Sequence, residues 1–273
     1  MNQIKLIISD LDGTLLTTEK ICSPATRRAI NQAAAGGTKL SFATGRADHT
    51  VRQLISTLDV SIPVIGGNGA YLLDKNQIYE QETIPGSAVE QALRIAKEAE
   101  ECLVVSANFS TYCLDTPHNH RQIESWGWIR RDMSVVDRMN FKPDIASIME
   151  DVQESVGQMV LYSRTSKSQA QVRAQIEDSC EVQYACSGGL FSDMMKKGVS
   201  KGYMLKKLAE ILKIKREEIL AFGDAENDLE MLEFAGIGVA MENAEPLLKR
   251  HADAVTLDND HDGVARAIEK YVL

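Results

Sequence analysis

The feature that most constrains the fold is an apolar run that stops abruptly on acids. Ile4-Lys5-Leu6-Ile7-Ile8 is aliphatic at every position but one, as in a strand buried on both faces. Ser9-Asp10-Leu11-Asp12-Gly13-Thr14 follows directly. If the strand continued, Asp10 and Asp12 would share one side, and Gly13 lets the chain turn sharply. Carboxylates that close either share a proton or hold a cation between them. Both outcomes serve chemistry on a phosphate ester, in which one Asp attacks phosphorus and its neighbour passes a proton to the leaving oxygen. A solvated acid-glycine turn is the plainer alternative, so the rest of the chain has to decide.

The pattern recurs. Ser23-Pro24 supplies an N-cap and a first-turn proline for a helix that runs to Gly36-Gly37. Lys39-Leu40-Ser41-Phe42-Ala43-Thr44-Gly45-Arg46 reads as a second strand that ends in a hydroxyl, a glycine and a base. A helix with Val51, Leu54, Ile55 and Leu58 on one face follows. Then Pro63-Val64-Ile65 closes in Gly66-Gly67-Asn68-Gly69-Ala70. Strands alternating with helices in this way predict a parallel, doubly wound α/β sheet with right-handed crossovers. Ligands bind such sheets at the carboxyl ends of the strands, where Asp10, Thr44 and Asn68 are expected.

From Ala70 the pattern changes. A hairpin around Asp74-Lys75-Asn76 precedes Ser87-Ala88-Val89-Glu90, which reads as a capping box opening a helix with Val89, Leu93 and Ala96 inward. Short apolar runs follow at Cys102–Ala107, Thr111–Leu114 and Gln158–Tyr162, then a helix from Ser166 to Ile176 and a strand from Val182 to Cys186. None ends in a glycine-tipped acid turn. Residues 85–193 are therefore expected to form an inserted α+β domain, with 1–84 and 194–273 as the core. His118, His120, Arg121, Trp126 and Trp128 are candidates for lining a substrate pocket, against the plainer reading as core or interface residues. Met194-Met195 reads as packing. Asn108-Phe109-Ser110 is a chance match to a glycosylation sequon.

From Val199 the first style returns. Ser200 caps a helix with Leu205, Leu208, Ile211 and Leu212 inward. Lys201 then falls in the first turn, where the helix dipole favours anions; a bound anion would account for it, and a solvated surface lysine is the plainer alternative. Ile219–Phe222 is a further buried strand and ends in Gly223-Asp224-Ala225-Glu226-Asn227-Asp228. A helix with Leu229, Leu232 and Ala235 inward, the strand Ile237–Ala240, a helix near Ala244–Arg250 and a last one at Gly263–Leu273 complete the pattern.

The net charge of −9 disfavours sequence-independent binding to nucleic acid or an anionic membrane. An acidic enzyme acting on phosphate must gather positive charge locally, from a metal, a lysine and helix N-termini. The five cysteines form no CxxC pair, and strand pattern begins at Ile4, so a reduced, cytoplasmic protein without a signal peptide is expected. No apolar run reaches membrane-spanning length.

Strand ends thus supply Asp10, Asp12, Thr44 and Asp224, and a helix start supplies Lys201. Oxygen donors of this kind suit Mg²⁺, which shares itself with a substrate phosphate. Asp10-Leu11-Asp12-Gly13-Thr14, Thr44-Gly45-Arg46, Gly198-Val199-Ser200-Lys201-Gly202 and Gly223-Asp224-Ala225-Glu226-Asn227-Asp228 together resemble the four motifs of the haloacid-dehalogenase-like phosphatases, in the Cof-type branch. The resemblance spans the whole chain and implies a Rossmann-like core, with residues 85–193 as a mobile cap that closes over the site and selects the substrate. It implies Asp10 as the nucleophile that forms an aspartyl-phosphate and Asp12 as general acid and base. Mg²⁺ would be held by the Asp10 carboxylate, the Asp12 backbone carbonyl and Asp224, with Asp228 in support. Thr44, Lys201 and Asn227 would bind phosphoryl oxygens. Gly45 and Arg46 belong to the same substrate-binding motif, and Arg46 reads equally as a structural partner of a nearby acid. The substrate implied is a small phosphorylated metabolite, a sugar phosphate above all, and the expected protein is a monomer or weak homodimer. A phosphotransferase or phosphomutase using the same intermediate, and a catalytically silent phosphate sensor, are the rival readings.

Overall fold

A computed structural model of the chain describes residues 3–47, 51, 55, 62–130, 139–185 and 189–273, the side chains of 126–130 excepted. The first elements are β1 (Leu6–Ser9), α1 (Pro24–Ala35), β2 (Lys39–Phe42), β3 (Val64–Gly66), β4 (Tyr71–Leu73) and β5 (Ile78–Gln81). The middle of the chain forms α2 (Gly86–Glu98), β6 (Cys102–Ala107), β7 (Ser110–Leu114), α3 (Pro117–Arg130) and β8 (Met139–Lys142). It continues through α4 (Ile145–Val152), β9 (Val156–Tyr162), α5 (Ser166–Ser179), β10 (Val182–Ala185) and β11 (Phe191–Lys196). The last stretch is α6 (Lys201–Leu212), β12 (Ile219–Gly223), α7 (Leu229–Phe234), β13 (Ile237–Ala240), α8 (Pro246–His251), β14 (Ala254–Val255) and α9 (Gly263–Tyr271).

Two compact units result. One comprises Met1–Arg46, Thr50–Glu80 and Ser200–Leu273, the other Ala47–His49 and Gln81–Val199. The division expected from sequence, 85–193, lies a few residues inside the second.

The first unit has the α/β architecture expected of it. Its five-stranded sheet runs β14-β13-β12-β1-β2, parallel throughout. β1 lies between the two halves of the chain: Leu6 pairs with Lys39 on one side and with Ile219 on the other. All four β1 residues are buried, as a parallel strand covered on both faces requires. On α1, Ser23 Oγ accepts from Thr26 N, Pro24 opens the first turn, and the chain leaves through Gly36 and Gly37 (φ 92°).

β3 departs from the expectation. It joins the parallel region only by an isolated bridge, Ala43 to Ile65, and pairs antiparallel with β4 in a separate sheet, β3-β4-β5. The cause is local: Gly67, Asn68 and Gly69 all have positive φ (57°, 54° and 103°), so the chain doubles back at once and the hairpin partner takes the edge of β3.

Two helix readings are also corrected. Ser87 is no N-cap: α2 starts at Gly86, whose N–H donates to the Glu154 carboxylate (3.2 Å), so the cap comes from a distant acid. On α6, Leu205 and Leu208 are buried but Ile211 is 46% exposed. The buried stripe is set by Lys201, Met204, Leu205, Leu208 and Ala209, and at about 100° per residue Ile211 falls about 90° off its centre.

The second unit is built on a six-stranded sheet, β10-β11-β9-β6-β7-β8, antiparallel except for β7 beside β8. Alternation sorts its faces. Leu103, Val105, Met159 and Leu161 share a core with Val89 and Leu93 of α2 and Val172 and Ile176 of α5. Cys102, Val104, Cys113 and Tyr162 cluster with Ile123 of α3. Met194 and Met195 are buried in β11, as packing residues are. Asn108 and Phe109 form the left-handed turn between β6 and β7. His120 is committed to Asp115 (2.8 Å) and stacks on Phe141, which favours the structural reading of His120. Leu54, Leu58, Cys186 and the side chains of Trp126 and Trp128 lie outside the described residues.

Candidate active site

Two acid turns meet because two strands pair. β1 and β12 run parallel with Ser9 opposite Phe222, and Asp10 N donates to Phe222 O (3.0 Å). Asp10 and Asp224 therefore leave the sheet side by side. Asp228 comes from the short 3-10 turn Glu226–Asp228, and its Oδ2 accepts from the backbone N–H of Asp224 (3.0 Å) and Ala225 (3.2 Å). One carboxylate oxygen from each of Asp10, Asp224 and Asp228 falls within 4.8 Å of the other two. Lys201 starts α6, with Ser200 Oγ accepting from Tyr203 N at the cap. Its Nζ donates to Asp10 Oδ1 and Asp228 Oδ1, both at 2.6 Å, and the side chain is 1% exposed. The basic residue at a helix start is thus explained by two buried carboxylates.

Charge is unbalanced here. Burial, with the nearby Asp228 and Asp224 carboxylates, pushes Asp10 up to about 8 despite the opposing pull of Lys201. Asp224 is pushed up to about 6 by burial, against a hydrogen bond from Thr14. For Lys201, burial disfavours the ammonium, but Asp10 and Asp228 more than offset it and the group stays charged. Three carboxylates facing one ammonium, with oxygen as the only donor atom, fit a hard divalent cation. Thr14 Oγ1 donates to Asp224 Oδ1 (2.6 Å) and fixes its orientation. Gly13, at φ 91°, makes room for that carboxylate: a Cβ there would lie 2.5 Å from Asp224 Oδ2.

Asp12 does not join the trio. Arg46 clamps it through Nε to Oδ2 and Nη2 to Oδ1, both at 2.8 Å, and Lys20 Nζ reaches Oδ1 at 2.7 Å. Burial opposes ionisation, yet Arg46 and Lys20 hold this carboxyl well below the usual range. Lys20 occupies the left-handed region (φ 61°) to do so.

Thr44, Gly45 and Asn227 gather around Asn68. Thr44 O accepts from Asn68 N (3.0 Å), and Thr44 Oγ1 accepts from Arg46 N (3.2 Å). A Cβ on Gly45 would sit 3.0 Å from Asn68 Nδ2. Asn227 Nδ2 donates to Asn68 Oδ1 (2.9 Å). Sequence reasoning gave no role to Thr14, Lys20 or Glu230, whose Oε2 accepts from Ser200 Oγ (2.5 Å). Thr14 was within reach as the last residue of its motif; no periodicity or spacing marks the other two.

The chain matches the haloacid dehalogenase-like hydrolases over residues 7–268. It belongs to that family. A Bacillus subtilis (strain 168) relative, 5-amino-6-(5-phospho-D-ribitylamino)uracil phosphatase YitU, is 30% identical over 270 residues, 97% of each chain. Phosphatase YwpJ of the same organism is 30% identical over 285 residues, covering 97% of this chain and 99% of that one. A solved haloacid dehalogenase-like hydrolase from B. subtilis superposes with a TM-score of 0.83 at 29% identity, covering 99% of this chain and all of that one. The Cof-type likeness read from the motifs holds, and so does the enzyme class, a phosphatase-type haloacid dehalogenase-like hydrolase. Among the described residues no helix is long and apolar enough to cross a membrane.

Proposed function

We propose that the chain is a Mg²⁺-dependent phosphatase that hydrolyses a small phosphorylated metabolite, of the sugar-phosphate kind, through an aspartyl-phosphate on Asp10. The observation that carries this reading is the convergence of Asp10, Asp224 and Asp228 on one point, with Lys201 bonded to two of them. Asp10, Asp224 and the Asp12 backbone carbonyl would hold the cation, with Asp228 behind them; bound there, it supplies charge neutralisation for the phosphoryl oxygens.

The chain's own groups do the rest. An Asp10 carboxylate oxygen attacks phosphorus as the bond to the leaving oxygen breaks. Asp12 gives its proton to that oxygen, then takes one from water as the water oxygen displaces Asp10 and releases phosphate. Lys201, Thr44 and Asn227 stabilise charge on the transferred group. Asp12 has a preliminary step to perform: with both oxygens engaged by Arg46 and Lys20, it must swing off that pair before it takes up a proton. The substrate class rests on the family and on relatives such as YitU, whose name specifies the phosphate of a ribityl-amino-uracil. Leaving-group choice is assigned to the second unit, as the motif likeness implies.

Asp10→Asn tests the chemistry. Phosphate release from an aryl phosphate should fall by at least about three orders of magnitude, with the far-ultraviolet circular dichroism unchanged. EDTA should silence the wild type and Mg²⁺ restore it. Full activity in the variant, or in EDTA, would remove the mechanism. A panel of phosphorylated sugars, cofactors and nucleotides, scored by phosphate release, identifies the substrate.

A further inference from the structure

Asn68 occupies the turn after β3, fully buried and left-handed (φ 54°, ψ 31°). Three segments meet it. Its N–H donates to Thr44 O, and its Oδ1 accepts from Asn227 Nδ2. At the next residue, a Cβ on Gly69 would lie 2.1 Å from the carbonyl oxygen of Ser200, the cap residue that precedes Lys201. The turn is therefore in touch with the segments bearing Thr44, Lys201 and Asn227.

Asn227 has little else to hold it. Its Oδ1 is buried without a hydrogen-bond partner, and among the described residues its Nδ2 donates to Asn68 alone. An amide nitrogen carries two N–H bonds. One is spent on Asn68; the direction of the second is fixed only as firmly as the first. If the Asn68 carbonyl is removed, no other hydrogen bond among the described residues holds the amide against rotation about its last torsion, which is broad and soft.

We propose that Asn68 is a positioning residue for phosphoryl binding: its side-chain carbonyl aims the Asn227 amide so that the remaining N–H meets a phosphoryl oxygen. This rests on the reading of Asn227 as a phosphoryl ligand. Asparagine also suits a left-handed turn for purely backbone reasons, and glycine suits it better. Asn68→Gly therefore keeps the turn and deletes only the amide, which separates the two roles.

The experiment is a double-mutant cycle on the whole chain: wild type, Asn68→Gly, Asn227→Ala and the double variant. Each is measured for inhibition of aryl phosphate hydrolysis by inorganic phosphate and for melting temperature. The inhibition constant should rise about tenfold in Asn227→Ala and by a similar factor in Asn68→Gly, with no further rise in the double variant. An Asn68→Gly protein that binds phosphate as the wild type does, or a double variant in which the two losses multiply in full, overturns the proposal. Unchanged phosphate inhibition in Asn227→Ala overturns the assignment of Asn227 itself, and the two failures are told apart by that single variant. The melting temperature reports whether Asn68→Gly stays folded, as glycine's fit to the left-handed turn predicts.

Discussion

Thr14 holds one of the acids on which the proposed chemistry depends. Its hydroxyl donates to Asp224 Oδ1 at 2.6 Å and lies in the same turn as both expected catalytic acids. Thr14→Val keeps the shape and removes the donor. Partners that orient metal ligands are commonly worth about 10- to 100-fold in affinity. We expect Mg²⁺ affinity, read by calorimetry, to weaken by about tenfold or more, while Thr14→Ser stays near the wild type. Equal affinity in the valine variant would leave Thr14 a packing residue. At this scale the sequence was legible where a motif spaced its residues and opaque where the partner came from elsewhere. Asp10 and Asp224 each stand just past an apolar run. Lys20, in contrast, finds Asp12 only because its own backbone turns left-handed, and nothing in its neighbours announces that turn.

Elements carry these side chains through close backbone approaches. Gly69 lies against the start of α6 at φ 103°, with no space for a Cβ beside Ser200 O. Gly37 has a similar φ of 92° with nothing within 4 Å of its would-be Cβ. The pair forms an experiment. Gly37→Ala should cost about 1 kcal/mol, the backbone penalty alone. Gly69→Ala has to displace the end of a helix and should cost at least about 2 kcal/mol more by urea denaturation. It should also weaken phosphate inhibition, because Lys201 moves with that helix; similar costs at the two positions would contradict the close approach. Strand and helix positions in the first unit were readable because apolar runs ended on glycine, proline or acid. The same signals misplaced β3, whose partner is decided by a reversal in three residues, and Ile211, where period and stripe diverge over one turn. In the second unit β8, α3, α4 and β11 went unread: β8 and β11 mix polar with apolar residues, α4 is only eight residues long, and α3 has a single aliphatic residue, Ile123, between Pro117 and Ser125.

At the scale of the whole molecule, the acid cluster couples folding to pH, and a cation held there would couple it to metal. Asp10 and Asp224 titrate in the folded chain near 8 and 6, above their ordinary value of 3.8. Between pH 4 and 8 the metal-free native state therefore binds more protons than the unfolded chain, so its stability falls as pH rises through that window. Asp12, shifted the other way by Arg46 and Lys20, contributes a stabilisation that is essentially complete above about pH 5 and adds little slope beyond it. The melting temperature in EDTA should decline from pH 5 to pH 8, and millimolar Mg²⁺ should flatten the decline, with a larger gain at pH 8 than at pH 5. A metal-free protein that is more stable at pH 8, or a metal gain independent of pH, would contradict the cluster. The placement of β1 has a consequence during synthesis. Leu6 must wait for Ile219, and at about 5–20 residues per second this strand spends some 10–40 s with one edge uncovered. The second unit has every strand of its own sheet in hand once Lys196 is made, before the first residue of β12, Ile219. A released fragment ending near residue 199 should thus present a protease-resistant middle flanked by a digestible head, and should be prone to aggregate through its orphaned N-terminal strand.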